Sequence, residues 1–245
     1  MIIIKSLLLS RFPEISFGFS TKVHLGSEAP FNFNLSQYVG DDPDVVYQNR
    51  KMFFNELGIE PDVIAFQKQV HGDEISVIEK SGYCGESDVM ITQKPGIPLA
   101  ISTADCTPIF LFDNKNKIIV GIHSGWKSTA KKITSKTIQL LISDFKVNPI
   151  DLNVYIGPSI SQKNYEVGEE VAVQFDAKYI KQENQKLFLD VAGCNYDMLL
   201  ENEISIENIQ RSNLCSFEQK DLLHSYRREG LKSGRALGLI YLKQN

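Results

Sequence analysis

Three apolar runs in the first half of this chain stop at short polar turns, and each stop carries a potential metal ligand. Run 62–69 leads into Gln69-Val70-His71-Gly72. Ala104-Asp105-Cys106 lies between runs 98–103 and 107–112. Run 117–123 ends in Gly121-Ile122-His123-Ser124-Gly125-Trp126. The runs are rich in β-branched and aromatic residues and read as strands. The chain has four histidines and four cysteines, and three of these eight sit at comparable strand ends. Two imidazoles and a thiolate form a zinc-type ligand set, and a set of three leaves the fourth tetrahedral position to water or substrate, as in catalytic sites. The spacing matches no zinc finger or ribbon, so only the tertiary fold can bring the three together. Taken singly, each residue has a plainer reading: His71 as a turn residue, Cys106 as a small buried hydrophobe, His123 as a strand-end side chain facing a cleft.

Two other chemistries use the same triple. Cys106 can act as a nucleophile with His123 as its base and Asp105 or His71 orienting it. Thiolate plus imidazole also suits copper. Zinc ranks first because it needs no redox partner and tolerates an open site. A copper oxidase calls for further ligands, and His24 and His224 are the only histidines left.

Elsewhere the pattern alternates irregularly. A helix is predicted over 43–57, capped by Asp42, with Pro43 in its first turn and Gly58 at its end. Ile133, Ile138, Leu141, Ile142 and Phe145 recur at helical spacing within 128–145. Further helices are predicted over 168–179 and 190–202, and further strands at Ile2-Ile3-Ile4 and over 73–79, 152–156 and 236–242. Many strands with few helices, without strict β-α-β order, predict a layered α+β sandwich. No repeat, low-complexity segment or long linker divides residues 1–245, and 245 residues at 42% hydrophobic content suffice for a single catalytic domain.

The net charge of −4 gives no sign of nucleic-acid or anionic-membrane binding. No run approaches the ~18 apolar residues of a membrane span, and the start lacks the parts of a signal peptide. Widely spaced cysteines then predict free thiols and a cytoplasmic location. No protein partner is legible. A scattered cationic set remains: Arg50, Lys127 at a helix start where backbone N–H groups favour an anion, Ser225-Tyr226-Arg227-Arg228-Glu229-Gly230, and Gly234-Arg235. Trp126, the one tryptophan, is suited to stacking on a base or to plain packing.

Taken in order, the motifs resemble one family across nearly the whole chain. They run through Phe19-Ser20-Thr21-Lys22, Val39-Gly40-Asp41-Asp42-Pro43, Asn49-Arg50, Gln69-Val70-His71-Gly72, Asp88, Thr103-Ala104-Asp105-Cys106-Thr107-Pro108 and His123-Ser124-Gly125-Trp126-Lys127. They continue through Ile156-Gly157-Pro158, Tyr165-Glu166-Val167-Gly168, Leu189-Asp190, Asn195 and Ser225-Tyr226-Arg227-Arg228. The family is that of the YfiH-type proteins, variously named multicopper polyphenol oxidase, laccase-domain or purine nucleoside phosphorylase. The resemblance implies a four-layer α/β/β/α sandwich with mixed sheets and Zn²⁺, in preference to copper, on His71, Cys106 and His123. It implies purine nucleosides and phosphate as substrates: phosphorolysis of adenosine, inosine, guanosine and methylthioadenosine, and hydrolytic deamination of adenosine. It places Arg50 in the substrate site. Lys127 and Arg228 are the other candidates for anionic substrate, and Asp105 and Asp88 the candidates for proton transfer. The family's other names imply a copper-dependent polyphenol oxidase, or an amidase editing peptidoglycan precursors with Cys106 as nucleophile. The chain departs from the family at Lys22-Val23-His24-Leu25-Gly26, where Arg and then Gly-Gly-Val-Ser is usual. It departs again at Lys127-Ser128, where Arg-Gly is usual; lysine keeps the charge but lacks the bidentate fork.

Overall fold

In the last strand, Ala236–Leu242, Ala236, Ile240 and Leu242 enter one apolar cluster while Leu237 and Leu239 enter another. The period-2 alternation of a strand feeds two cores when both faces are covered. The strand Thr107–Asp113 does the same, with Phe110 and Phe112 on one side and Ile109 and Leu111 on the other. Such strands read as continuous apolar runs because neither face meets water. The computed structural model describes residues 1–244, and these strands are central to two six-stranded mixed sheets. In spatial order the first sheet comprises Ile3–Ile4, Ile15–Ser20, Ala236–Leu242, Leu99–Thr103, Ala65–Lys68 and Gly82–Glu86. The second comprises Ile209–Arg211, Leu152–Ile156, Thr107–Asp113, Ile118–Ser124, Val89–Thr92 and Ile75–Val77.

The sheets pack face to face over Phe17, Phe19, Ile101, Phe110, Phe112 and Tyr155. Phe17 meets Phe110 and Tyr155 edge-on at 5.0 and 5.1 Å between ring centroids, an arrangement the ring quadrupoles favour. The helix Pro43–Glu56 covers the outer face of the first sheet through Phe53 and Phe54. Ile133–Phe145 and Val191–Glu201 cover the second through Ile138, Leu141 and Leu199. The result is the expected α+β sandwich with an α/β/β/α order of layers. A small third sheet, Glu166–Val167, Lys186–Leu189 and Ile180–Glu183, lies over a satellite cluster that includes Leu189 and Trp126.

The Asp42 cap is present, its carboxylate accepting from the Asp44 amide at 2.8 Å. Two predicted helices are corrected. The 128–145 helix is two helices, Trp126–Ala130 and Ile133–Phe145, because Lys132 turns into the left-handed region at φ 59°. Of 168–179 only Glu169–Ala172 is α-helical; it brings Val171 to the satellite cluster, which Phe175 and Tyr179 reach from a turn and a short 3-10 segment. The strands predicted over 62–69 and 73–79 shorten to Ala65–Lys68 and Ile75–Val77. Among the described residues no helix is long and apolar enough to cross a membrane.

Candidate metal centre and substrate site

Leu99–Thr103 belongs to the first sheet and Thr107–Asp113 to the second, so the chain crosses between sheets through Ala104-Asp105-Cys106. That crossing puts Cys106 at one end of the sandwich. His123 reaches the same end because it pairs with Pro108 in the register of the neighbouring strand. His71 arrives on the loop after Ala65–Lys68, its backbone left-handed at φ 57°.

Asp88, fully buried just before Val89–Thr92, joins two of these elements. Its carboxylate accepts from His123 Nδ1 at 2.7 Å and from the amides of Val70, His71 and Gly72 at 3.2, 3.1 and 2.7 Å. One side chain thus shapes the His71 loop and fixes the His123 ring. With Nδ1 held by a carboxylate, Nε2 is the donor left for a metal, the usual carboxylate–histidine–metal relation.

The ligand atoms of His71, Cys106 and His123 all lie within 4.8 Å of one another. Metal–ligand bonds of about 2.0–2.3 Å span at most about 4.6 Å between two ligand atoms, so a bound ion would draw the set slightly closer, and His71, the exposed member, has room to adjust. Burial pushes the Cys106 thiol up, but the imidazoles of His123 and His71 outweigh it and hold the group at about 6. Burial likewise opposes charging His123, yet the Cys106 charge and the Asp88 carboxylate lift it to about 9. The two imidazoles thus favour the thiolate of Cys106, the form a metal binds. Gly125 allows the close approach: a Cβ there would lie 3.1 Å from both Cys106 Sγ and His71 Cδ2. The turn is pinned from behind, where Ser124 Oγ and Thr134 Oγ1 both donate to Asn195 Oδ1, at 3.0 and 2.6 Å. The donor set and its bracing fit a metal with an open coordination position.

The other expected site residues divide. Asp105, at φ 90°, holds a backbone conformation that costs an L-residue energy. Its carboxylate accepts from Ser216 Oγ at 2.6 Å and the Arg227 amide at 2.7 Å, and its carbonyl from the Ile160 amide at 2.9 Å. Asp105 is a brace behind Cys106, and Asp88 is a brace between the histidines; each carboxylate expected to move protons is taken up by fixed donors.

Arg228, expected to meet anionic substrate, has its donors occupied within the protein. Its N–H donors go to the carbonyls of Ser216, Phe217 and Leu223 at 2.6–2.7 Å and to Glu229 Oε1 at 2.8 and 3.2 Å. Lys127 is exposed on a five-residue helix, 5.6 Å from the centre of the Trp126 ring. Arg50 lies over Phe66 at 4.5 Å and donates to Leu35 O at 2.7 Å. The Leu35 amide in turn donates to Arg235 O at 3.1 Å, so Arg50 and Arg235 flank one backbone segment.

Three residues beside Cys106 escaped assignment from the sequence. Burial, with the Cys106 charge, pushes the Tyr165 phenol up to about 12 against the pull of Arg227. Burial pulls Arg235 down, opposed by Cys106 and Asp105. Arg227 stacks on Tyr165. All three lie in motifs visible in the sequence, but nothing in the spacing tells Arg227 from Arg228.

A mixed-sheet α/β/β/α sandwich with a His-Cys-His cluster at one end defines a class of small proteins built around a single candidate metal centre. The sequence profile of the multi-copper polyphenol oxidoreductase laccase family matches residues 16–243, and the chain belongs to that family. A purine nucleoside phosphorylase of Deinococcus radiodurans is 33% identical over 241 residues, covering 96% of this chain and 92% of that one. A protein named adenosine deaminase RL5, from an unknown prokaryotic organism, is 29% identical over 237 residues, covering 89% and 90%. The crystal structure of the YfiH protein of Bacillus licheniformis superposes with a TM-score of 0.90 at 27% identity, over 94% of this chain and 93% of that one.

Proposed function

We propose that this protein is a zinc-dependent purine nucleoside enzyme. It phosphorolyses adenosine, inosine, guanosine and methylthioadenosine and hydrolytically deaminates adenosine. The observation that carries the reading is the His71–Cys106–His123 cluster, with ligand atoms within 4.8 Å of one another, in a chain whose relatives bear phosphorylase and deaminase names. When bound there, a divalent ion supplies a Lewis-acidic centre with a vacant position. Asp88 keeps the His123 ring oriented, and Asp105 keeps Cys106 facing the cluster. Tyr165, protonated at neutral pH, presents a hydrogen-bond donor on the Cys106 side. Arg50 and Lys127 are assigned to the substrate. The cluster is the only group of its kind among the described residues. His24 stacks on Phe33 and His224 bonds Phe33 O, so neither extends it, which favours zinc over a multi-copper assembly. The four free cysteines fit the reducing cytoplasm.

The test is to incubate metal-replete protein with adenosine and phosphate and to look for adenine, ribose 1-phosphate and inosine. Cys106→Ala and His123→Ala should abolish all three products. Absence of all three from wild-type protein carrying one metal per chain would overturn the assignment.

The thiolate–imidazolium pairing of Cys106 and His123 favours a second reading, with Cys106 as the nucleophile of an amidase. Alkylation separates the two. A liganded thiolate resists a thiol reagent until a chelator is added, whereas a free nucleophile reacts with metal present.

A further inference from the structure

Two arginines around the Asp105–Cys106 turn make no salt bridge among the described residues. Arg227 lies over the Tyr165 ring at 4.9 Å and Arg235 over the Tyr226 ring at 5.4 Å. Arg227 Nη1 donates to Glu166 O at 2.8 Å; Arg235 Nη1 donates to Ser233 O at 2.7 Å and Gly234 O at 3.0 Å. These are backbone carbonyls. Among the described residues the other N–H groups of both guanidiniums have no acceptor, and neither arginine forms a salt bridge.

The nearby acids pair with other residues, Glu229 through Oε1 alone, its Oε2 being without a partner among the described residues. Glu166 pairs with Lys186 at 2.8 Å. Glu229 pairs with Lys22 at 3.2 Å and Arg228 at 2.8 Å. Asp105 is filled by Ser216 and the Arg227 amide. The contrast with Arg211, 3.4 Å from Asp190, and Arg228, on Glu229, is within the same protein.

Both cations belong to the site. The Arg227 amide holds Asp105, the residue next to Cys106. Arg235 is half-buried, and its carbonyl and amide are bonded to Leu35 and Asn34. Stacking on tyrosine restricts each guanidinium plane and adds cation–π attraction. Arg235 is the partly buried cation, costly without an anion to complete it, whereas Arg227 is exposed and its free N–H groups stay within reach of a ligand. Planar forks with free parallel N–H groups match a tetrahedral oxyanion bidentately.

We propose that Arg227 and Arg235 bind the inorganic phosphate consumed in phosphorolysis; this rests on the purine nucleoside reading and names its anion subsite. In that reaction a phosphate oxygen forms a bond to C1′ of the ribose as the C1′–N9 bond breaks. The bonding pair leaves with the purine, and the hydrogen of hydrogen phosphate ends on a purine nitrogen, giving ribose 1-phosphate and free base.

The test uses the metal-loaded full chain with Arg227→Gln, Arg235→Gln and the double variant. It reads the KM for phosphate, the KM for inosine, and the calorimetric binding of inorganic phosphate. Each single change should raise the phosphate KM about tenfold, as the loss of one charge-assisted contact would. The inosine KM should move less than about threefold on the same scale. The double variant should lose the binding heat, and Arg235→Lys should recover part of it. A folded double variant with wild-type phosphate KM and binding heat would overturn the proposal, as would an inosine KM that rises as far as the phosphate KM. If wild-type protein converts no purine yet its phosphate binding still vanishes on these substitutions, the anion site stands and the assigned reaction falls.

Discussion

Replacing Asp88 by asparagine removes one charge and one acceptor from the residue that joins His71 to His123. The carboxylate takes four hydrogen bonds, from His123 Nδ1 and the amides of Val70, His71 and Gly72. Asparagine keeps one acceptor oxygen, so two of these donors face an NH₂ group instead. A buried donor left without a partner costs about 1–3 kcal/mol, which puts the loss of folding stability for two such donors at about 2–6 kcal/mol. Changing the outer carboxylate of a metal-bound histidine weakens metal binding about 10–100-fold. A 30-fold loss removes roughly 2 kcal/mol of the stabilisation that excess zinc gives the folded state. Two measurements test this: zinc competition against a chromophoric chelator, and urea unfolding with and without excess zinc. Zinc affinity within a factor of two of wild type, with an unchanged unfolding midpoint, would refute the reasoning. It would mean that the His71 loop and the His123 ring hold their places without Asp88.

Gly125→Ala puts a methyl group 3.1 Å from Cys106 Sγ and His71 Cδ2; zinc affinity should fall while apo-protein stability, read by thermal unfolding, changes little. Arg228→Gln takes donors from the carbonyls of Ser216, Phe217 and Leu223; urea unfolding should show a loss of about 2 kcal/mol. His224 is held at about 4 chiefly by burial, below the usual 6.5. The folded state therefore refuses a proton that the unfolded chain accepts, and stability falls as pH drops from about 6.5 towards 4, by roughly 2 kcal/mol at pH 5. In His224→Gln, urea midpoints at pH 7 and pH 5 should differ less than in wild type, and an equal difference would remove His224 from the account.

The cores and the strand ends that carry His71, Cys106 and His123 were legible because each rests on a local pattern. Buried strands such as Thr107–Asp113 and Ile118–Ser124 are apolar throughout, and Asp42-Pro43 marks its helix by cap chemistry alone. What stayed hidden depends on partners distant in sequence. The strand Gly82–Glu86 has glycines at both φ 96° and φ 88° and little β-propensity; it forms by pairing in parallel with Ala65–Lys68. Ile180–Glu183 is largely exposed and polar and exists through its pairing with Lys186–Leu189. Arg227 and Arg228 are adjacent and chemically identical. Only the fold turns one onto Tyr165 and the other into the carbonyls of 216–223.

The two aspartates explain why ligands and free cations coexist in one small site. The Asp105 carboxylate, bonded to the Arg227 amide, would ordinarily capture a nearby arginine in an ion pair, as Asp88 would a cation at the metal cluster. Asp88 is instead saturated by three backbone amides and an imidazole, and Asp105 by a hydroxyl and a backbone amide. Hydrogen bonds to fixed dipoles satisfy both acids without using a cation, so the guanidiniums keep their charge for a ligand. The bond from the Arg227 amide to Asp105 makes this a shared frame: the contact that braces the Cys106 loop also anchors the segment bearing the cation. Loosening that frame at Asp105 would disturb the metal cluster and the anion subsite together, whereas loosening it at Asp88 reaches the cluster first.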